Sequence, residues 1–147
     1  MTIVLCPSPE ATHAAGVALG QRLFPGAFVA LVGDLGAGKT AFTKGIGEGL
    51  GVISRIQSPT YVLVQAHEGG RVPLWHADWY RLGEAGELDA IGFFDLLEQG
   101  AVVVEWADRF PEALPDDRLE VRMEIRGHER SLHIAATGPR HAPLEQI

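Results

Sequence analysis

Eight consecutive residues carry the strongest chemical signal in the chain. Gly33-Asp34-Leu35-Gly36-Ala37-Gly38-Lys39-Thr40 fits the pattern G-x-x-x-x-G-K-[ST]. The glycines let the backbone turn tightly enough for successive N–H groups to converge on phosphate oxygens. A helix beginning near Lys39 adds the positive end of its dipole. Lys39 brings a full charge to the β- and γ-phosphates, and the Thr40 hydroxyl suits Mg²⁺. A chance match is expected in on the order of a few per thousand chains of this composition. The loop also follows an apolar run at residues 27–32 and precedes a helical pattern at residues 39–50, the setting such a loop needs. These residues predict nucleotide binding.

Magnesium on a phosphate chain usually takes a carboxylate from the C-terminal end of a neighbouring strand. Two acids fit. Val102-Val103-Val104 runs into Glu105, and the period of two over residues 74–80 puts Leu74, His76, Asp78 and Tyr80 on one face. Either acid could bind the metal directly or through water, leaving the other to position an attacking water. Ser58-Pro59-Thr60-Tyr61 lies where switch-type segments offer hydroxyls to the γ-phosphate or metal. Trp75 and Trp79 fall on the opposite face from His76 and Asp78, which suits packing. Trp106, directly after Glu105, is placed to pack near the site. Only its alternation with Asp78 distinguishes His76 from a packed strand residue.

These residues need a scaffold. Residues 3–6 read as a short strand. Ser8-Pro9-Glu10 reads as N-cap, N1 proline and first-turn acid of a helix over residues 9–23, stopped by Pro25-Gly26. The apolar run at residues 27–32 suits a buried parallel strand, and Gly51 closes the helix that follows the glycine loop. Residues 61–68 and 71–80 flank Gly69-Gly70 as a hairpin. Residues 84–97 read as mostly helical with a break near Gly92, and residues 101–106 as another apolar strand. Leu119, Val121, Met123 and Ile125 alternate with charged residues, a strand buried on one side, with its partner at residues 130–136. The pattern predicts an α/β fold of mixed parallel and antiparallel sheet flanked by helices: one domain over residues 1–137 and a flexible tail over residues 138–147.

Composition narrows the partners. The 147 residues carry a net charge of −7, and Lys39 and Lys44 are the only lysines. No basic run offers a footprint for nucleic acid. Apolar runs are strand-sized and no signal segment is evident, so neither a membrane span nor export is expected. The single cysteine, Cys6, excludes an internal disulfide and reads as a buried small hydrophobe.

The phosphate loop, Ser58-Pro59-Thr60-Tyr61, His76-Ala77-Asp78-Trp79-Tyr80-Arg81 and Glu105-Trp106 follow one another at spacings that resemble the TsaE family. These are small bacterial ATPases of threonylcarbamoyl-adenosine synthesis on tRNAs reading ANN codons. The resemblance spans about residues 8–134. It implies ATP and Mg²⁺ at the loop, with Thr40, Glu105 and Asp78 at metal-site positions. It implies switch roles for Ser58 and Thr60, and a contact near the adenine from the segment holding Thr12. It further implies a TsaB–TsaD protein partner, tRNA reached only through that pair, hydrolysis that is weak alone, and a cytoplasmic location. His67, near where relatives often carry an aromatic, departs from the pattern.

Three rival readings make different demands on the sequence. A GTPase wants N-K-x-D to read guanine, and the chain contains no asparagine. Asp89-Ala90-Ile91-Gly92 matches D-x-x-G but falls in a predicted helix. A small-molecule phosphotransferase usually adds an Arg-rich helical lid, where residues 118–136 read as a strand pair. A nucleotide-dependent binding module differs from an enzyme only in turnover.

Overall fold

The computed structural model describes residues 1–34, 36–53, 64–80, 82–84, 86–90, 93–96 and 98–147. Among these, seven strands form one sheet: β1 (Thr2–Cys6), β2 (Phe28–Gly33), β3 (Val64–His67), β4 (Leu74–Asp78), β5 (Ala101–Glu105), β6 (Leu119–Arg126) and β7 (Glu129–Ala136). Their order is β1-β7-β6-β2-β5-β4-β3. The central β6, β2, β5 and β4 are parallel, while β3, β7 and β1 add antiparallel edges. This is the mixed α/β sheet that the sequence predicts. β2 and β5 are covered on both faces, so they read as unbroken apolar runs. β6 is buried on one face only, so it alternates; Ile125, at its open end, is 48% exposed.

Helices α1 (Pro9–Gly20) and α2 (Lys39–Leu50) cover one face, packing Leu19, Phe42 and Ile46 over Val29, Leu31 and Val103. On the other face Phe28, Trp79 and Val104 meet Leu88, Phe93 and Phe110. Leu88 and Phe93 come from two short helices, α3 (Gly86–Ala90) and α4 (Phe93–Leu96), where the sequence predicts one broken helix. Trp79 is 1% exposed and belongs to this second core, as its strand face predicts.

Local signals set the α1 start. The Ser8 hydroxyl oxygen accepts the Ala11 N–H at 3.2 Å, and Pro9 opens the first turn. The α1–α2 contact has a different origin. A Cβ on Gly16 would lie 2.2 Å from Phe42 O, and one on Gly45 would lie 2.1 Å from His13 O. Gly20 and Gly49 face Ile46 O and Val17 O equally closely, at 2.2 and 2.3 Å. The two helices therefore touch backbone to backbone, with glycines four apart on each.

The expectation of a flexible tail over residues 138–147 is corrected. Leu144 is 3% exposed and His141 is fully buried. His141 Nδ1 lies 2.7 Å from Asp117 Oδ1, and its Nε2 accepts the Phe28 N–H at 3.0 Å. Arg22 donates to Pro143 O at 2.6 Å, and Glu145 accepts the Ala136 N–H at 2.6 Å. The polar residues that read as a tail are anchors to distant strands. Cys6, 1% exposed, is the buried hydrophobe expected, and burial pushes its thiol pKa up.

Candidate nucleotide site

β2 ends at Gly33, where a Cβ would press within 2.8 Å of Met123 O on β6. The chain then turns through Gly36 (φ +82°) and Gly38 (φ +98°), left-handed backbone that favours glycine. Gly38 is also the N-cap of α2 and gives no side-chain cap. No N-cap side chain therefore covers the first amides of α2, which suits a phosphate-binding helix end. Asp34 is exposed beside them and Ala37 is buried beneath. Leu35 lies outside the described residues.

Lys39 is only 7% exposed. Its ammonium donates to Gly33 O at 2.7 Å and lies 4.4 Å from the centre of the Trp106 ring. Both are weak acceptors for a cation compared with phosphate oxygens. Trp106 is the one non-glycine with positive φ (+57°) among the described residues. Such strain persists where the surroundings force it. Here it folds the indole back over Lys39, with Tyr80 at 4.9 Å on its ring.

The two acids meet at the next strand ends. Asp78 and Glu105 are register partners on parallel β4 and β5, and Leu31 of β2 pairs with Glu105 on the other side. All three strands therefore deliver their C-terminal ends to one edge beside the loop, where open α/β sheets bind ligands. Glu105 is 4% exposed, and its Oε2 lies 2.6 Å from His76 Nε2. Asp78 is half-buried and its Oδ1 accepts the Tyr80 N–H at 2.8 Å. Burial, with Glu105 adding, pushes the Asp78 carboxyl pKa up against the pull of the Tyr80 N–H, Lys39 and His76. Thr40 is half-buried on the first turn of α2.

The donors suit a hard cation: a hydroxyl and carboxylates, all oxygen. Among the described residues no three His, Cys, Asp or Glu side chains converge into a complete metal site. A Mg²⁺ ion here would draw its remaining ligands from phosphate and water, its habit at nucleotide sites.

Thr12 reaches the loop from α1, its methyl 3.4 Å from where a Gly38 Cβ would stand. It is 1% exposed, with its hydroxyl toward Ser8 O at 3.4 Å. Ser58, Thr60 and Arg81 lie outside the described residues. The sequence reading missed Arg130, whose guanidinium donates from β7 to Gly36 O at 3.1 and 3.3 Å. No spacing signals it, because only the sheet order brings β7 near the loop. An open cleft of ≈ 450 Å³ adjoins the loop, lined by Asp34, Trp106, Asp108, Arg122 and Glu124 among others.

The sequence model of the family described as Threonylcarbamoyl adenosine biosynthesis protein TsaE matches residues 6–132. The tRNA threonylcarbamoyladenosine biosynthesis protein TsaE of Bacillus subtilis is 38% identical, over 93% of this chain and 87% of that protein. Its counterpart from Streptomyces coelicolor is 44% identical, over 74% of this chain and 76% of that protein. In three dimensions the chain is similar to the crystal structure of YdiB from Bacillus subtilis, with a TM-score of 0.81 and 37% identity. That match covers 97% of this chain and 90% of that one. With the family model spanning most of the sequence and relatives matched along most of their length, the chain belongs to the TsaE family of tRNA threonylcarbamoyladenosine biosynthesis.

Proposed function

We propose that the chain binds ATP with Mg²⁺ and hydrolyses it to support the tRNA modification, acting on a TsaB–TsaD protein pair. One observation carries this reading: the uncapped start of α2, with Lys39, lies beside the paired acids Asp78 and Glu105 at adjacent strand ends. Loop amides from Gly33 to Thr40 and the Lys39 ammonium hold the phosphates. Thr40, Glu105 and Asp78 would hold the metal, each acid directly or through water, and its charge would offset that developing on the transferring phosphoryl group. Of the two acids, the one not bound directly orients the attacking water. Ser58 and Thr60 add hydroxyls at the γ-phosphate side, and Thr12 shapes the loop near the adenine.

The acidic chain, at −7, supports tRNA being held by the partners instead of by this protein. No helix among the described residues is long and apolar enough to cross a membrane, which fits a cytoplasmic role. A phosphotransferase finds less support, because residues 119–136 form an antiparallel strand pair and not a helical lid.

The test is ATP turnover with and without the purified TsaB–TsaD pair. Slow turnover alone and a clear rise with the pair is the expected result. Turnover that needs a small-molecule acceptor, or that ignores the pair, overturns the proposal.

A further inference from the structure

Two histidines, His76 and His141, are fully buried at 0% exposure, and their surroundings differ. His141 has a partner for each ring nitrogen, the Phe28 N–H and the Asp117 carboxylate, and both join parts of the fold. His76 has a partner for one. Its Nε2 meets Glu105 Oε2 at 2.6 Å, diagonally across β4 and β5, while Nδ1 has no hydrogen-bond partner among the described residues. An unsatisfied buried nitrogen is a cost, and a buried polar group of this kind calls for a reason. Leu74 on the same strand face and Val103, the register partner of His76 on β5, are apolar, while Gln65, its partner on β3, is half-buried. What an apolar side chain cannot supply is the hydrogen that the Glu105 carboxylate accepts.

We propose that His76 is a positioning residue: its Nε2–H holds Glu105 Oε2 so that the other oxygen is presented to the metal. This rests on the reading of Glu105 as a metal-binding acid. A carboxylate on a free χ rotor loses entropy when a cation fixes it. One whose second oxygen is already bonded in the core has lost that freedom on folding. Hydrogen-bond partners of metal ligands act this way, and their removal typically lowers metal affinity by about 10–100-fold.

The experiment measures Mn²⁺ binding in the presence of ADP by the EPR signal of free Mn²⁺. Binding of a fluorescent ADP analogue in EDTA serves as a metal-free reference. His76→Gln can place an amide N–H near the Nε2 position, while His76→Asn places it near Nδ1 and His76→Leu has none. The expected result is Mn²⁺ affinity close to wild type for Gln and a fall of about 10–100-fold for Asn and Leu. Metal-free ADP binding should be unchanged in all three. If Leu does not fold, as judged by circular dichroism, the Gln–Asn split alone decides. Equal Mn²⁺ affinity for Gln and Asn, or wild-type affinity for a folded Leu variant, overturns the positioning role. Glu105→Gln separates the two levels: if it too binds Mn²⁺ like wild type, the metal-site reading fails; if it is impaired, only the His76 role falls.

Discussion

The Lys39 ammonium rests between the carbonyl of Gly33 and the face of Trp106, 2.7 Å from the first and 4.4 Å from the ring centre of the second. On the proposed reading, the lysine exchanges these two partners for phosphate oxygens. Lys39→Ala removes the charge and leaves the fold, since the strand and both helices around it are held by other contacts. Each lost charge-assisted contact is worth roughly 1.5–3 kcal/mol, or about 10–150-fold in affinity. Titration with a fluorescent ADP analogue should show that loss beside an unchanged circular dichroism spectrum. Near-wild-type binding and turnover would overturn the phosphate-loop assignment.

Glu105→Gln should damage hydrolysis far more than nucleotide binding. Glutamine keeps the size and loses the charge that a hard cation wants, while Lys39 and the loop amides still hold phosphate. Asp78→Asn apportions the roles, because the two acids are register partners on neighbouring strands. Turnover stimulated by the TsaB–TsaD pair and nucleotide affinity, measured for both variants, check this. An unchanged rate for Glu105→Gln with a severe loss for Asp78→Asn would move the metal role to Asp78.

ATP should bind more tightly than GTP. A chain without asparagine has no N-K-x-D segment to read guanine. Asp89, the first residue of its D-x-x-G match, lies in α3 instead of at a strand end. Competition titrations in Mg²⁺ buffer give the order, and equal or tighter GTP binding contradicts it.

The docked C-terminus should make stability depend on pH. Burial holds the His141 pKa below its ordinary value, outweighing the pull of Asp117. The unfolded chain therefore takes up a proton at about pH 6.5, where the folded chain resists it. Stability is full above that pH and falls as the pH drops below it, at up to about 1.4 kcal/mol per pH unit for this one proton. Protonation would also place a hydrogen on Nε2, which now accepts the Phe28 N–H. Urea unfolding from pH 7.5 to 5.5 should show the slope in the wild type and less of it in His141→Gln. Parallel curves for the two proteins would show that His141 is not its source.

What the sequence makes legible is what is local. The glycine turn into α2, the Ser8 cap, the Gly51 stop and the alternation of β6 each depend on residues within a few positions of one another. Asp78 and Glu105 could be named because strand period and strand end are local as well. The contacts that complete the site are not local. His76 finds Glu105, and Arg130 finds Gly36, through the strand order β1-β7-β6-β2-β5-β4-β3, which no single segment encodes. The docking of residues 138–147 was misread for the same reason: the buried His141 has partners at Phe28 and Asp117, and Arg140 donates to Pro25 O.

The glycine contact between α1 and α2 reverses the usual logic of mutational scanning. Alanine substitution ordinarily asks what a side chain contributes by taking it away. Along Gly16, Gly20, Gly45 and Gly49 there is nothing to take away, and alanine is the smallest intruder. A scan of α1 should therefore find its largest losses where the least was present. Because Thr12 of α1 abuts Gly38, such losses would extend to the proposed nucleotide site: a methyl at Gly16 or Gly45 would wedge the helix pair apart one or more turns from the glycine loop.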